Sequence, residues 1–156
     1  NQGTTFEILL PMVSGQPTVK KIEAPLSSSK LEGVTVLVVE DEQVVREFIC
    51  TTLLIQKCHV FSAPEAQAAK EIFAEHGDEI QVLLTDVIMP GMSGPELAAE
   101  LKDRKPELAV VFVSGYTGDR IDNETLQQAD ALFLQKPFSV NQLTKALTEA
   151  IDQAAK

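Results

Sequence analysis

Residues 33–156 are expected to fold as an α/β domain: a five-stranded parallel sheet with helices on both faces. Three observations carry this. Short apolar, β-branched runs lack the polar alternation of half-exposed strands, as strands covered on both faces do. Between the runs lie stretches with apolar residues at helical spacing. The alternation of run and stretch repeats five times in about 120 residues, which a sheet between two helical layers accommodates.

Each element has its own signal. Residues 34–39 (VTVLVV) form the first strand, and residues 43–56 a helix with Val44/Val45, Phe48/Ile49 and Thr52/Leu53 on one face. Residues 60–63 are a short second strand, and Pro64 suits the first turn of a helix over 65–76. Residues 81–85 (QVLLT) are the third strand, ended by Asp86, and Ser93 is an N-cap for a helix over 95–105. Residues 108–113 and 131–134 are the fourth and fifth strands. Between them, 119–128 has a thin apolar face, with only Ile121 and Leu126. Residues 139–155 close the chain with Val140, Leu143, Leu147 and Ile151 in register. Right-handed crossovers leave few topologies for five such units, and the flavodoxin-like order 2-1-3-4-5 is the common one.

Composition narrows the functional classes. The 156 residues carry 13 Lys+Arg against 23 Asp+Glu, a net charge of −10, which argues against a nucleic-acid binder. At 44% hydrophobic the chain is too apolar for wholesale disorder. The longest apolar run, 108–113, is far short of a bilayer span, and no basic-then-apolar signal pattern opens the sequence. Cys50 and Cys58 are too few for a disulfide framework and too isolated for a zinc site. A cytoplasmic protein without direct membrane contact is expected.

Residues 1–32 balance three Lys against three Glu, so the whole negative surplus lies in 33–156. Gly15, Pro17, Pro25 and the serines at 27–29 mark 14–32 as a linker. Ahead of it, TTFEILL (4–10) is strand-like but has no partner strand in the sequence.

In an open α/β sheet, ligands bind beyond the carboxyl ends of the strands at the switch point, here between strands 1 and 3. Strand 1 ends in Glu40, Asp41 and Glu42, and strand 3 ends in Asp86. Acidic residues often do no more than cap the next helix, and Glu42 is read that way. Glu40, Asp41 and Asp86, however, would converge, and like charges a few ångströms apart repel by roughly 1 kcal/mol per pair even in water. A cation relieves that repulsion. An all-oxygen donor set without His or Cys favours Mg²⁺. Ser114 and Lys136 end strands 4 and 5, adding a hydroxyl and an ammonium. That set suits a phosphoryl group carried on a carboxylate.

The segments VLVVEDE (36–42), LLTDVIMPGMSG (83–94), VVFVSGY (110–116) and LQKPF (134–138) resemble the motifs of response-regulator receiver domains. The spacings from Asp41 to Asp86 (45), Asp86 to Ser114 (28) and Ser114 to Lys136 (22) match that family as well. The resemblance implies that Asp86 accepts a phosphoryl group from the phosphohistidine of a histidine kinase or a histidine phosphotransfer domain. It implies Mg²⁺ held by Asp41, by Glu40 mainly through water, by Asp86, and by the carbonyl of Ile88. Lys136 would bind a phosphoryl oxygen, Ser114 would move to the phosphate, and Phe133 would be the switch aromatic that follows it. The face formed by 119–128, the last strand and the last helix would then remodel, and a homodimer through that face stays open. Lys136–Pro137 resembles the family's cis peptide. Ile88 and Tyr116 stand where polar side chains often position the hydrolytic water, so slow self-dephosphorylation is expected. NQGTTFEILLP (1–11) resembles the end of a sensor histidine kinase ATPase domain, giving an organisation of kinase remnant (1–13), linker (14–32) and receiver (33–156). His59 and His76 lack kinase-box neighbours, so this fragment is expected to catalyse nothing beyond its own phosphorylation. No DNA-binding segment follows Lys156, so output is expected through protein contacts.

Other classes fit less well. An aspartate-nucleophile phosphatase wants Asp-x-Asp on strand 1, and Asp41 is followed by Glu42 and Gln43. A flavin carrier of the same sheet order would need a Ser/Thr/Gly-rich phosphate loop where Glu40–Glu42 stand. A degenerate receiver used only for binding would not be expected to keep the acidic pair, Asp86, Ser114 and Lys136 together.

Overall fold

The structure is a computed structural model that describes residues 3, 4, 7, 30–115 and 131–155. Most of the expected strand at 4–10 and of the expected linker, Tyr116 and the expected helix at 119–128 lie outside the described residues. Five strands form one parallel sheet in the order β2-β1-β3-β4-β5: β1 (Thr35–Val39), β2 (His59–Ala63), β3 (Val82–Asp86), β4 (Ala109–Ser114) and β5 (Ala131–Gln135). The described helices are α1 (Gln43–Ile55), α2 (Ala66–His76), α3 (Gly94–Arg104) and α4 (Val140–Ala154).

The pleat explains why β1, β3 and β4 read as largely apolar runs without polar alternation. Val36, Val38, Leu84, Val111 and Val113 point into a layer with Ile49 and Leu53 of α1 and Leu143 and Leu147 of α4. Their neighbours Leu37, Val39, Leu83, Val110 and Phe112 point into the opposite layer, with Phe73 of α2 and Leu97 and Leu101 of α3. A strand buried on both sides has no position left for a polar alternation. Edge strand β2 is covered less.

Leu31 is fully buried in the α1/α4 layer, and ion pairs Lys30–Asp152 (3.1 Å) and Lys57–Glu32 (2.8 Å) flank it. Packing of the sheet therefore reaches back into the last residues of the segment expected as linker. Burying such a leucine contributes roughly 2 kcal/mol. Cys58 lies in the same layer and its thiol donates to the Leu31 carbonyl at 3.3 Å. Burial pushes the thiols of Cys50 and Cys58 up.

Three local expectations need correction. Pro64 lies outside α2, because Glu65 is the N-cap and the helix starts at Ala66. Val44 and Phe48 are exposed, while Ile49, Thr52 and Leu53 carry the buried face of α1. Adjacent residues on a helix are about 100° apart, so at Val44/Val45 and Phe48/Ile49 one member turns outward, whereas Thr52 and Leu53 are both buried. Glu42 is the N-cap of α1 but its side chain makes no capping hydrogen bond. Ser93 does cap α3, in a reciprocal box with Glu96, and Ser139 does the same for α4 with Gln142.

Candidate functional site

The strand register builds the rim. Val39 pairs with Thr85, Asp86 with Val113, and Ser114 with Gln135, so the next residue of each strand lands at the same end of the sheet. Backbone bonds prolong the ladder past the strand ends: Glu40 N–H to the Ala63 carbonyl (3.2 Å), Val87 N–H to Val113 (2.9 Å) and Lys136 N–H to Ser114 (2.7 Å). Glu40, Asp86 and Lys136 each follow by two residues a side chain of the α1/α4 layer, namely Val38, Leu84 and Leu134. The period of two therefore sends all three to one side of the sheet.

There the Lys136 ammonium lies 2.6 Å from Asp86 Oδ2 and 2.7 Å from Glu40 Oε2. The second oxygen of Asp86, Oδ1, accepts the Ile88 N–H at 3.1 Å. Both oxygens of Asp86 are thus engaged, and its carboxylate is held in one orientation. Asp41 completes the group: one carboxylate oxygen from each of Glu40, Asp41 and Asp86 lies within 4.8 Å of the others. Lys136 and Pro137 are joined by a cis peptide bond.

Burial shapes the electrostatics. Glu40 is 1% exposed and Asp86 9%, whereas Asp41 is open to solvent. Burial pushes the Glu40 carboxyl up, and the charge of Asp86 adds to this. The contact and charge of Lys136 and the N–H of Glu42 act the other way without cancelling it. For Lys136 burial favours the neutral amine, but the hydrogen bond to Asp86, the close contact with Glu40 and the charges of both outweigh it and hold the ammonium above its ordinary value. Glu40 Oε2 is buried and takes no directed hydrogen bond, so its 2.7 Å approach to Lys136 is a contact of charge rather than an aligned bond.

Three carboxylates facing one ammonium leave a surplus of two negative charges. A buried carboxylate oxygen without a directed donor, in an all-oxygen set whose negative surplus one divalent cation would balance, fits a hard dication such as Mg²⁺.

The remaining expected site residues fall around this group. Ser114 is buried at the end of β4, one step past the residue paired with Asp86. The alternation that places Phe112 in the α2/α3 layer puts Ser114 on that side of the sheet. Phe133 pairs with Phe112 across β4 and β5, so it is the diagonal neighbour of Ser114, and it is 41% exposed. The Ile88 side chain is exposed beside the rim. His59 starts edge strand β2 and His76 ends α2, stacked on Phe61 at 4.5 Å; neither joins the cluster.

Two contributors escaped the sequence reading. Arg46 of α1 donates from Nη1 to the carbonyls of Glu40 (2.5 Å) and Asp41 (3.3 Å). Gly94, the first residue of α3, sits so close to β3 that a Cβ there would lie 2.1 Å from the Asp86 carbonyl oxygen. Gly94 lies within one of the recognised motifs, but nothing in the string gives it a neighbour.

A family profile described as the response regulator receiver domain matches residues 36–148. Sensor kinase CckA of Brucella abortus is 35% identical over 97% of this chain, which spans 17% of that protein's length. Response regulator receiver protein CpdR of the same organism is 31% identical over 74% of this chain and 98% of its own. Among solved structures, a response regulator receiver domain protein from Clostridium thermocellum superposes with a TM-score of 0.69 at 29% identity, covering 78% of this chain and 97% of that one. Chemotaxis protein CheY4 of Vibrio cholerae shares the fold, with a TM-score of 0.67 at 23% identity over 76% of this chain and 98% of its own.

Proposed function

The chain belongs to the response regulator receiver domain family of two-component signalling, and from that premise we propose that Asp86 is its phosphoacceptor, served by Glu40, Asp41, Ser114 and Lys136. The observation that carries the reading is the Lys136 ammonium bridging Asp86 Oδ2 and Glu40 Oε2, with Asp41 alongside. An Asp86 oxygen attacks the phosphorus of a phosphohistidine. The O–P bond forms as the P–N bond breaks, the imidazole leaves with the electron pair, and an acyl phosphate remains on Asp86. Charge on the equatorial phosphoryl oxygens grows as the group transfers, and Lys136, already within 2.6 Å of Asp86, supplies a fixed positive charge there.

Glu40, Asp41, Asp86 and the carbonyl of Ile88 would hold Mg²⁺, which when bound neutralises phosphoryl oxygens. Ser114, which the alternation sets on the other side of the sheet from Asp86 and Lys136, then moves its hydroxyl to the phosphate. Phe133, its diagonal neighbour and partly exposed, takes up the resulting change of packing.

Incubation with a small acyl phosphate and Mg²⁺, followed by intact-mass measurement, is expected to add one phosphoryl group. Asp86→Asn or removal of the metal with EDTA abolishes the gain. An Asp86→Asn protein that still gains the group refutes the assignment, and steady turnover of a phosphate ester favours the aspartate-nucleophile phosphatase instead. An exposed Ile88 gives no polar group to orient water, so the phosphorylated state is long-lived. Ile88→Asn should shorten its half-life several-fold, and an unchanged or longer half-life contradicts this.

The chain spans less than a fifth of CckA, so the parent's activity is a matter of proposal. A match that extends over 97% of the chain, well beyond residues 36–148, supports a hybrid sensor kinase in which 1–13 end the ATPase domain, 14–32 link and 33–156 receive. The phosphodonor is then a histidine kinase or histidine phosphotransfer domain in the cytoplasm. Exposed Val44 and Phe48 of α1, with Phe138 in ring contact with Phe48 at 6.1 Å, border the rim where such a donor would approach.

A further inference from the structure

From the contacts of Arg46 we infer that this residue is a positioning residue for the cation site: it fixes the loop that presents Glu40 and Asp41. The inference rests on the proposed metal-dependent function and adds to it a residue outside the acidic cluster. Besides Arg46, the turn between β1 and α1 is held by the Glu40 N–H on the Ala63 carbonyl, a long bond from the Glu42 N–H to Glu40 Oε1, and the contact of Lys136 with Glu40. Its N-cap residue, Glu42, gives no side-chain capping bond, and α1 has no acidic residue in its first turn. The carbonyls of Glu40 and Asp41 lie between strand and helix, and among the described residues no backbone N–H outside the ladders donates to either. Arg46, one turn into α1, spans the two with one terminal nitrogen, at 2.5 and 3.3 Å. Its backbone is tied to the same turn, its N–H donating to the Glu42 carbonyl at 2.9 Å.

What Arg46 does not touch is equally informative. Three carboxylates gather on the rim, yet among the described residues the guanidinium forms no ion pair with any of them. It binds the main chain and leaves the carboxylate oxygens for Lys136 and a metal ion. Occupying the carbonyls of Glu40 and Asp41 also withdraws them from any cation, so the turn offers only its side-chain oxygens.

Positioning and simple charge predict opposite signs. Deleting a positive charge near a cation site tightens cation binding by Coulomb's law. Deleting a group that orients the ligands weakens it, by about tenfold to a hundredfold for supporting residues of metal sites. Calorimetric titration of the full chain with Mg²⁺ is therefore expected to show at least tenfold weaker binding in Arg46→Ala. Arg46→Lys, which retains a charged donor on a shorter reach, should recover part of the loss. In metal-free protein, the Glu42 amide, which donates to Glu40 Oε1 at 3.4 Å, should exchange hydrogen faster in Arg46→Ala while core amides of β3 and β4 keep their protection. Equal or tighter Mg²⁺ binding by Arg46→Ala, or unchanged exchange at Glu42, overturns the inference. If the unaltered protein binds no Mg²⁺, the proposed function fails, and the Glu42 exchange alone still decides the role of Arg46. Should Arg46→Ala not fold, the same two measurements on Arg46→Lys decide it, with binding or exchange equal to the unaltered protein counting against.

Discussion

Gly94→Ala is expected to lower the melting temperature by roughly 5–10 °C and to slow phosphorylation of the protein that remains folded. A Cβ at this position would meet the Asp86 carbonyl oxygen at 2.1 Å, its carbonyl carbon at 3.0 Å and Thr85 Cγ2 at 3.2 Å. The first of these contacts is with backbone, so no side-chain rotation relieves it. The backbone of Gly94 is helical rather than left-handed, so alanine brings no conformational strain and the whole effect is steric. Relief requires the start of α3 to move away from β3, or the end of β3 to move in. The first breaks the bond from Gly94 N–H to the Val87 carbonyl (3.0 Å) and opens the layer around Leu97. The second displaces Asp86 itself. Overpacking of this kind costs roughly 1–3 kcal/mol. Thermal melting and the rate of phosphorylation by a small acyl phosphate separate the two effects. A variant that melts and reacts like the unaltered protein would mean that α3 shifts at no cost.

That result bears on which parts of the molecule the sequence discloses. β1, β3 and β4 are legible because burial on both faces leaves runs that are apolar but for Thr35, Thr85 and their polar ends, and Glu40 and Asp86 because they stand at the ends of such runs, where a parallel sheet binds ligands; Lys136 stands at the same end past the less covered β5. Val44 and Phe48 of α1 face solvent, since a run of paired apolar residues does not say which member faces the sheet. The supporting residues were illegible for a different reason. Arg46 and Gly94 both act on main-chain carbonyls, of Glu40 and Asp41 in one case and Asp86 in the other. Every residue has a carbonyl, so no pairing of side-chain types marks such a contact in the string. It emerges only when the helix and the strand end are brought to their actual separation.

Lys136→Met is expected to move two properties of the rim in opposite directions: Mg²⁺ affinity rises and phosphoryl transfer falls. Methionine is of similar length but lacks charge and donors. The ammonium now shares Asp86 and Glu40 with whatever cation enters, so its removal leaves both carboxylates free and deletes a repelling charge. Tighter Mg²⁺ binding by roughly tenfold or more follows. The transferring phosphoryl group loses a fixed donor at the same time, which costs on the order of 10²–10³ in rate at comparable sites. Stability without metal should fall by about 3 kcal/mol, because Glu40 and Asp86 are left buried without their counter-ion, and saturating Mg²⁺ should restore much of it.

The pH dependence in EDTA checks the origin of that loss. Glu40 already holds its proton more tightly folded than unfolded, and without Lys136 it holds it more tightly still. Between the ordinary carboxylate value and this raised one, the folded state binds more protons, so stability falls as pH rises through that window. Lys136→Met should therefore lose more stability between mildly acidic and neutral pH than the unaltered protein does. In the unaltered protein the raised Lys136 stabilises below the ordinary lysine value, and that contribution disappears at alkaline pH as the ammonium deprotonates; the variant lacks this alkaline loss. Parallel pH profiles for the two proteins, or Mg²⁺ affinity that falls with the rate, would show that Lys136 does not compete with the metal for these carboxylates.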